Sequence, residues 1–132
     1  MLGKQKIWLL GVCVLIASCT SLYAQRARMV HLGDATVDGS RDRDTISVGR
    51  HAGEFRAIQL RVHGGAVNFD RVVVRYGNGT QEELQIRSHI PAGGQTRIID
   101  LPGERRIIQS VDFWYGKANW RKRPMVSLYG VR

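Results

Sequence analysis

The sequence predicts an all-β fold, a small antiparallel β-sandwich of about eight strands, with a jelly roll as one form it can take. Three observations lead there. No segment keeps apolar residues at i, i+3, i+4 and i+7, so amphipathic helix is nearly absent. Short runs instead alternate apolar with polar residues, the period of a strand with one wet face. Glycine, proline, asparagine and aspartate punctuate these runs at the spacing common in sandwiches and barrels.

Taken along the chain, weak strands are expected over Met29 to Val37 and Thr45 to Val48. Ile58, Leu60 and Val62 alternate with Gln59, Arg61 and His63, which describes a half-buried strand with arginine on its wet side. The run Val67 to Tyr76 changes parity midway. Val67 and Phe69 share one phase, and Val72, Val74 and Tyr76 the other. Either both faces are covered there, or a bulge near Asp70-Arg71 resets the register. Tyr76-Gly77-Asn78-Gly79-Thr80 supplies a hairpin turn, because Asn-Gly readily takes positive φ. Leu84 and Ile86 return as a strand that ends at Pro91-Ala92-Gly93-Gly94. Thr96 to Leu101 forms another, closed by Pro102-Gly103. Ile107 to Tyr115 follows, with Val111, Phe113 and Tyr115 facing one way, and Met125 to Val131 is last.

The first 25 residues read as something other than fold. Lys4 and Lys6 precede the apolar run Ile7 to Ala17, and small or polar residues follow. Positive, apolar, small is the order of a secretory signal peptide. The run has 11 residues, well short of the roughly 20 that span a bilayer. Two processing routes fit. Cleavage after Ala24 gives a signal peptide over 1–24 and a sandwich domain over 25–132. Alternatively Ile16-Ala17-Ser18-Cys19 resembles a lipobox, with a signal over 1–18 and an acylated Cys19 as the membrane anchor. The expected location is the periplasm or cell envelope, soluble by the first route.

Charge then needs restating. The 132-residue chain has net charge +9; without the two lysines of residues 1–24 it has +7. Cys13 and Cys19 both lie before residue 25, so the remaining domain has no disulfide and must rely on an apolar core. A basic exported domain points to an anionic envelope polymer such as lipopolysaccharide, an acidic glycan or peptidoglycan. Nucleic acid is disfavoured by export and by the lack of a recognition helix or RNA-binding motif.

Catalytic signatures are missing. There is no G-x-S-x-G elbow, no H-E-x-x-H helix, no phosphate-binding glycine loop and no thiol past residue 24. His31, His51, His63 and His89 are scattered singly, and neighbours such as Ser88-His89 or Glu82-Glu83 diverge on a strand. The acidic loop Asp38 to Asp44 has arginines between its carboxylates, which suits a solvated loop better than calcium. No catalytic residue, metal or cofactor is therefore expected. Asn78-Gly79-Thr80 matches a glycosylation sequon but is equally explained as the hairpin turn.

The best local signal for binding joins the last two strands: Trp114, Tyr115, Lys117, Trp120, Arg121, Lys122 and Arg123. Aromatic faces stack on sugar rings, and arginine forks onto carboxylate or phosphate. The competing explanation is that Trp114 or Tyr115 packs on the sandwich while the cations keep an edge soluble.

Several motifs stand out in order along the chain: Arg56-Ala57-Ile58-Gln59-Leu60, Val72-Val73-Val74 with Gly77-Asn78-Gly79, Ile90-Pro91-Ala92-Gly93-Gly94, Ile99-Asp100-Leu101-Pro102-Gly103 with Arg105-Arg106-Ile107, and Val126-Ser127-Leu128-Tyr129-Gly130. Together they resemble a family of small exported bacterial proteins catalogued as a domain of unknown function (YaaI-like). The resemblance implies export and a strand-and-turn fold, and brings no catalytic residues. Three functions follow as expectations. The first is a non-catalytic binding module for an anionic surface polymer or glycan. The second is a protein-interaction or structural subunit with an envelope protein as partner, and the third a small hydrolase or metal-dependent enzyme on a sandwich.

Overall fold

A computed structural model describes residues 28–37, 42–86, 88–116 and 122–132. The expected signal peptide, Cys19 and the cations and ring at Lys117, Trp120 and Arg121 lie outside the described residues, as does most of the Asp38 to Asp44 loop.

Among the described residues there are ten strands: β1 (Met29–Thr36), β2 (Arg43–Ser47), β3 (Glu54–Phe55), β4 (Ala57–His63), β5 (Val67–Tyr76), β6 (Gln81–Leu84), β7 (Ser88–Ile90), β8 (Ile99–Asp100), β9 (Arg106–Tyr115) and β10 (Met125–Val131). Two antiparallel sheets pack face to face, in the orders β1-β10-β4-β8 and β2-β9-β5-β6. Short β3 pairs with β9, and short β7 with β5. Setting those two aside, the chain alternates between sheets as a jelly roll does, with strand orders 1-8-3-6 and 2-7-4-5. The sandwich expectation holds, and the topology is the jelly-roll form of it.

The core follows the alternation. Ile58, Leu60 and Val62 of β4 and Val126 and Leu128 of β10 meet Val72 and Val74 of β5 and Val111 and Phe113 of β9, all buried. Strand β5 does carry a bulge. Its register against β9 shifts between Phe69 and Arg71, which lets Phe69 and Val72 both face inward although three residues apart. The turn after β5 is set by Gly79 at φ 87° and by the Asn78 carboxamide oxygen, which accepts hydrogen bonds from the Thr80 N–H and hydroxyl.

Three expectations are corrected. The strand foreseen over Thr96 to Leu101 is interrupted: Gln95 makes an isolated bridge to Arg61, and regular pairing resumes only at Ile99. The cause is Thr96, whose hydroxyl, instead of a backbone carbonyl, accepts the Leu60 N–H at 3.1 Å while its own N–H donates to Leu60 O. The return strand through Leu84 and Ile86 is two pieces, β6 and β7, each pairing with one half of the bulged β5. Finally β3, which no pattern announced, brings Phe55 into the middle of the sandwich, where its ring lies fully buried against the backbone of Gly130.

Candidate functional site

Strand pairing sorts the surface into two sheet faces and two ends. On the outer face of the β2-β9-β5-β6 sheet, cross-strand neighbours run Arg43, Trp114, Arg71 in one row and Thr45, Asp112, Val73, Glu83 in the next. A third row holds Ser47, Ser110, Arg75 and Gln81. Trp114 is half-buried because arginines lean on it from both sides. The Arg43 guanidinium carbon is 5.2 Å and the Arg71 carbon 4.7 Å from the ring centroid. Arg71 also pairs with Glu83 at 3.2 Å. Between the rows Asp112 is 2% exposed; its Oδ1 accepts the Thr45 hydroxyl at 2.5 Å. Its Oδ2 makes no hydrogen bond and faces Arg75 Nε at 3.2 Å and Arg43 Nη2 at 4.0 Å. A buried carboxylate thus holds two half-exposed guanidiniums over the sheet. Asp42, Asp70, Arg71, Glu83 and Trp114 border a cleft of about 310 Å³ at the end of this face.

Tyr115 does not join that face. Alternation turns it inward, 4% exposed, with its ring 5.9 Å from Phe113 and its hydroxyl donating to Asp44 Oδ2 at 2.8 Å. Its ring packs in the core, the packing alternative named for it above, and Tyr115 also borders the cleft beside Trp114. Lys122 and Arg123 are exposed at the same end of the sandwich, where Lys122 packs over Gly65 of the β4–β5 turn. Arg123 takes φ 47°, and the following Pro124 carbonyl accepts the Val37 N–H at 2.8 Å.

The outer face of the other sheet carries His31, Asp34, Arg61, Ser127 and Tyr129. The Ser127 hydroxyl (2.5 Å) and His31 Nε2 (2.8 Å) both engage Asp34 Oδ1. The Ser127 hydrogen bond, then that of His31, holds the Asp34 carboxyl below its ordinary range, and the charges of His31 and His63 add to this. Serine and imidazole share one oxygen, so Ser127 donates to the carboxylate and not to the imidazole, and it is 4% exposed. Arg61 covers the Tyr129 ring at 4.1 Å. His51 is exposed on a short 3-10 turn, and His89 Nδ1 meets Asn68 Oδ1. Among the described residues no group of three or more His, Cys, Asp or Glu is placed to hold a metal ion.

The far end, away from Trp114, opens into a cleft of about 720 Å³ lined by Glu54, Arg56, Asp100, Glu104, Arg105 and Arg132 among others. A smaller hollow of about 230 Å³ shares Glu54 and Arg105 with it and adds Arg50 and Arg106. Sequence reasoning missed this cleft as a site, because its lining comes from three stretches far apart in the chain, 54–56, 100–105 and residue 132. The one available signal was Gly103-Glu104-Arg105-Arg106, a charged run inside a tight loop.

No helix among the described residues is long and apolar enough to cross a membrane. No curated protein matches the chain. Among solved structures, Pseudomonas aeruginosa AlgX is similar over 80% of this chain and 26% of that one, with 13% identity and a TM-score of 0.46. The chain spans about a quarter of that protein's length, and the likeness is too slight to bear on function. Residues 9–130 match the model of a domain of unknown function, DUF2541, and the chain belongs to that family.

Proposed function

We propose that this protein is an exported, non-catalytic envelope module that binds an anionic polymer or acidic glycan on the outer face of the β2-β9-β5-β6 sheet. The observation that carries this reading is Trp114 held between Arg43 and Arg71, with Arg75 in the next but one row. Stacked guanidiniums keep their remaining N–H donors turned to solvent, and they sit at strand spacing on a flat surface. One such charge contributes little in water. A polymer engages several together, so its weak contacts add through effective concentration. Lys122 and Arg123 extend the positive charge at the same end of the sandwich, and export is supported by the positive, apolar, small order of residues 1–24.

The test is retention on heparin-agarose and on immobilised polygalacturonate across a salt gradient. Arg43→Gln with Arg71→Gln should bring elution to clearly lower salt, and adding Lys122→Gln and Arg123→Gln should lower it further. Retention unchanged by all four, with the circular dichroism spectrum intact, sinks the reading.

A further inference from the structure

The cleft at the far end has features the polymer face lacks. One of its guanidiniums, and one in the hollow beside it, are fixed by neutral groups. Arg132 Nη2 donates to the Ala52 carbonyl at 2.6 Å, and its guanidinium carbon sits 5.3 Å from the Phe55 ring centroid. In the adjoining hollow Arg106 donates to Pro102 O at 2.9 Å and to Thr80 Oγ1 at 3.2 Å, over the Tyr76 ring at 3.7 Å. Neither pairs with a carboxylate among the described residues, so each presents its donors in a set position. Arg56 Nε donates to Arg132 O at 3.4 Å, and among the described residues Arg105 forms no side-chain hydrogen bond, ion pair or ring contact.

The same cleft holds Glu54, Asp100 and Glu104, and none of them forms an ion pair with the arginines beside it. All of these charges are exposed, so oxyanion acceptors and guanidinium donors stand side by side in one concavity with their polar atoms open to a ligand. The loop between them is also strained. Gly103 has φ 92° and Glu104 φ 65°, and the Arg105 N–H closes a three-residue turn on Gly103 O at 2.8 Å. A side chain is seldom held in that region without a reason. A Cβ on Gly103 would come within 3.3 Å of the Arg106 guanidinium, so glycine there leaves the arginine its place.

We propose that this cleft is a binding site for an anionic sugar the size of one or two rings. Its carboxylate or phosphate sits on the guanidiniums of Arg105, Arg132 and Arg56, and its hydroxyls donate to Glu54, Asp100 and Glu104. Carboxylates are acceptors only, so they suit hydroxyl donors, while arginine forks onto an oxyanion. A volume of about 720 Å³ is that of a small-ligand pocket. A divalent cation is the poorer occupant, because among the described residues the carboxylates form no metal-holding group. The site does not depend on the polymer reading, since a strand length of about 30 Å separates it from Trp114.

The experiment is an amide chemical-shift titration of the full chain with glucuronate and with glucose 6-phosphate, and with glucose and inorganic phosphate as controls. Glucuronate or glucose 6-phosphate should shift amides of residues 54–56 and 100–106 and leave the Trp114 region still. Arg105→Gln, at an exposed residue, should weaken binding about tenfold. Glu104→Gly should weaken binding too, while its melting temperature stays the same or rises because strain is released. Glucose binding as well as glucuronate overturns the proposal. So does inorganic phosphate binding equally well with no dependence on Glu104, and so does the absence of shifts around the cleft. Variants at Arg43 and Arg71 should leave this titration unchanged, which separates its failure from failure at the polymer face.

Discussion

Replacing Gly130 by alanine should be among the most damaging single-methyl changes the sandwich can suffer. The backbone there is ordinary, since Gly130 is not among the positive-φ glycines, so the objection is purely steric. A Cβ at this position would stand 2.5 Å, 2.7 Å and 2.8 Å from three atoms of the Phe55 ring, against 3.4–4 Å for an ordinary contact. The ring must retreat by about 1 Å, yet it is wholly buried and has the Arg132 guanidinium near its face. Overpacking of that kind costs about 2 kcal/mol, or a fall of about 8 °C in melting temperature at this size. Urea unfolding followed by tryptophan fluorescence measures it. Phe55→Leu alone should cost about 1–2 kcal/mol for lost ring contacts. Because the smaller side chain makes room for the methyl, the double variant should cost little more than Phe55→Leu. A loss below about 0.5 kcal/mol for Gly130→Ala, or simple additivity in the double variant, would refute the packing argument.

Two further outcomes follow from buried or shared charges. Arg75→Gln takes the nearest counter-charge from Asp112 and should destabilise by about 1–2 kcal/mol, less than a fully buried pair because Arg75 is half exposed. Asp112→Asn in the same chain should recover most of that loss by chemical denaturation, and no recovery would mean the charge is not the cause. Ser127→Ala removes the main influence lowering the Asp34 carboxyl. A lowered folded-state value stabilises above the ordinary carboxylate range near 4 and loses that contribution as pH falls through the lowered value. The stability gap between wild type and Ser127→Ala should therefore be wide at pH 7 and narrower at pH 3; an equal gap at both contradicts the electrostatic account.

Much of the scaffold was legible because it is written in alternation. The inward set Ile58, Leu60, Val62 is a period-two pattern, and the parity break at Asp70-Arg71 announced the bulge that the register shift displays. Alternation also placed Tyr115 with Val111 and Phe113, and the core position it holds follows from that parity and not from the aromatic company it keeps in sequence. Strand β3 was unreadable because two residues carry no period, and Phe55 owes its burial to a gap over Gly130 on another sheet. Asp112 looks like a wet-face acid, yet two arginine stems roof it over, a tertiary effect that local pattern does not contain. The far-end cleft was invisible for the same reason: Glu54, Asp100, Glu104 and Arg132 meet only once the jelly roll is closed.

The bulge in β5 has a consequence for comparing members of this family. Between Phe69 and Val72 the strand carries one residue more than regular alternation needs, and β7 and β6 pair separately with the stretches on either side. The two half-strands thus behave as independent reading frames joined at a single adjustable position. A relative one residue shorter there would keep every inward side chain inward while straightening the ladder and sliding Arg71 against its Trp114 neighbour. A one-residue gap at position 70 in an alignment would therefore mark a change in the shape of the arginine-lined face rather than a lost contact in the core, and sequences with and without it are best compared as two geometries.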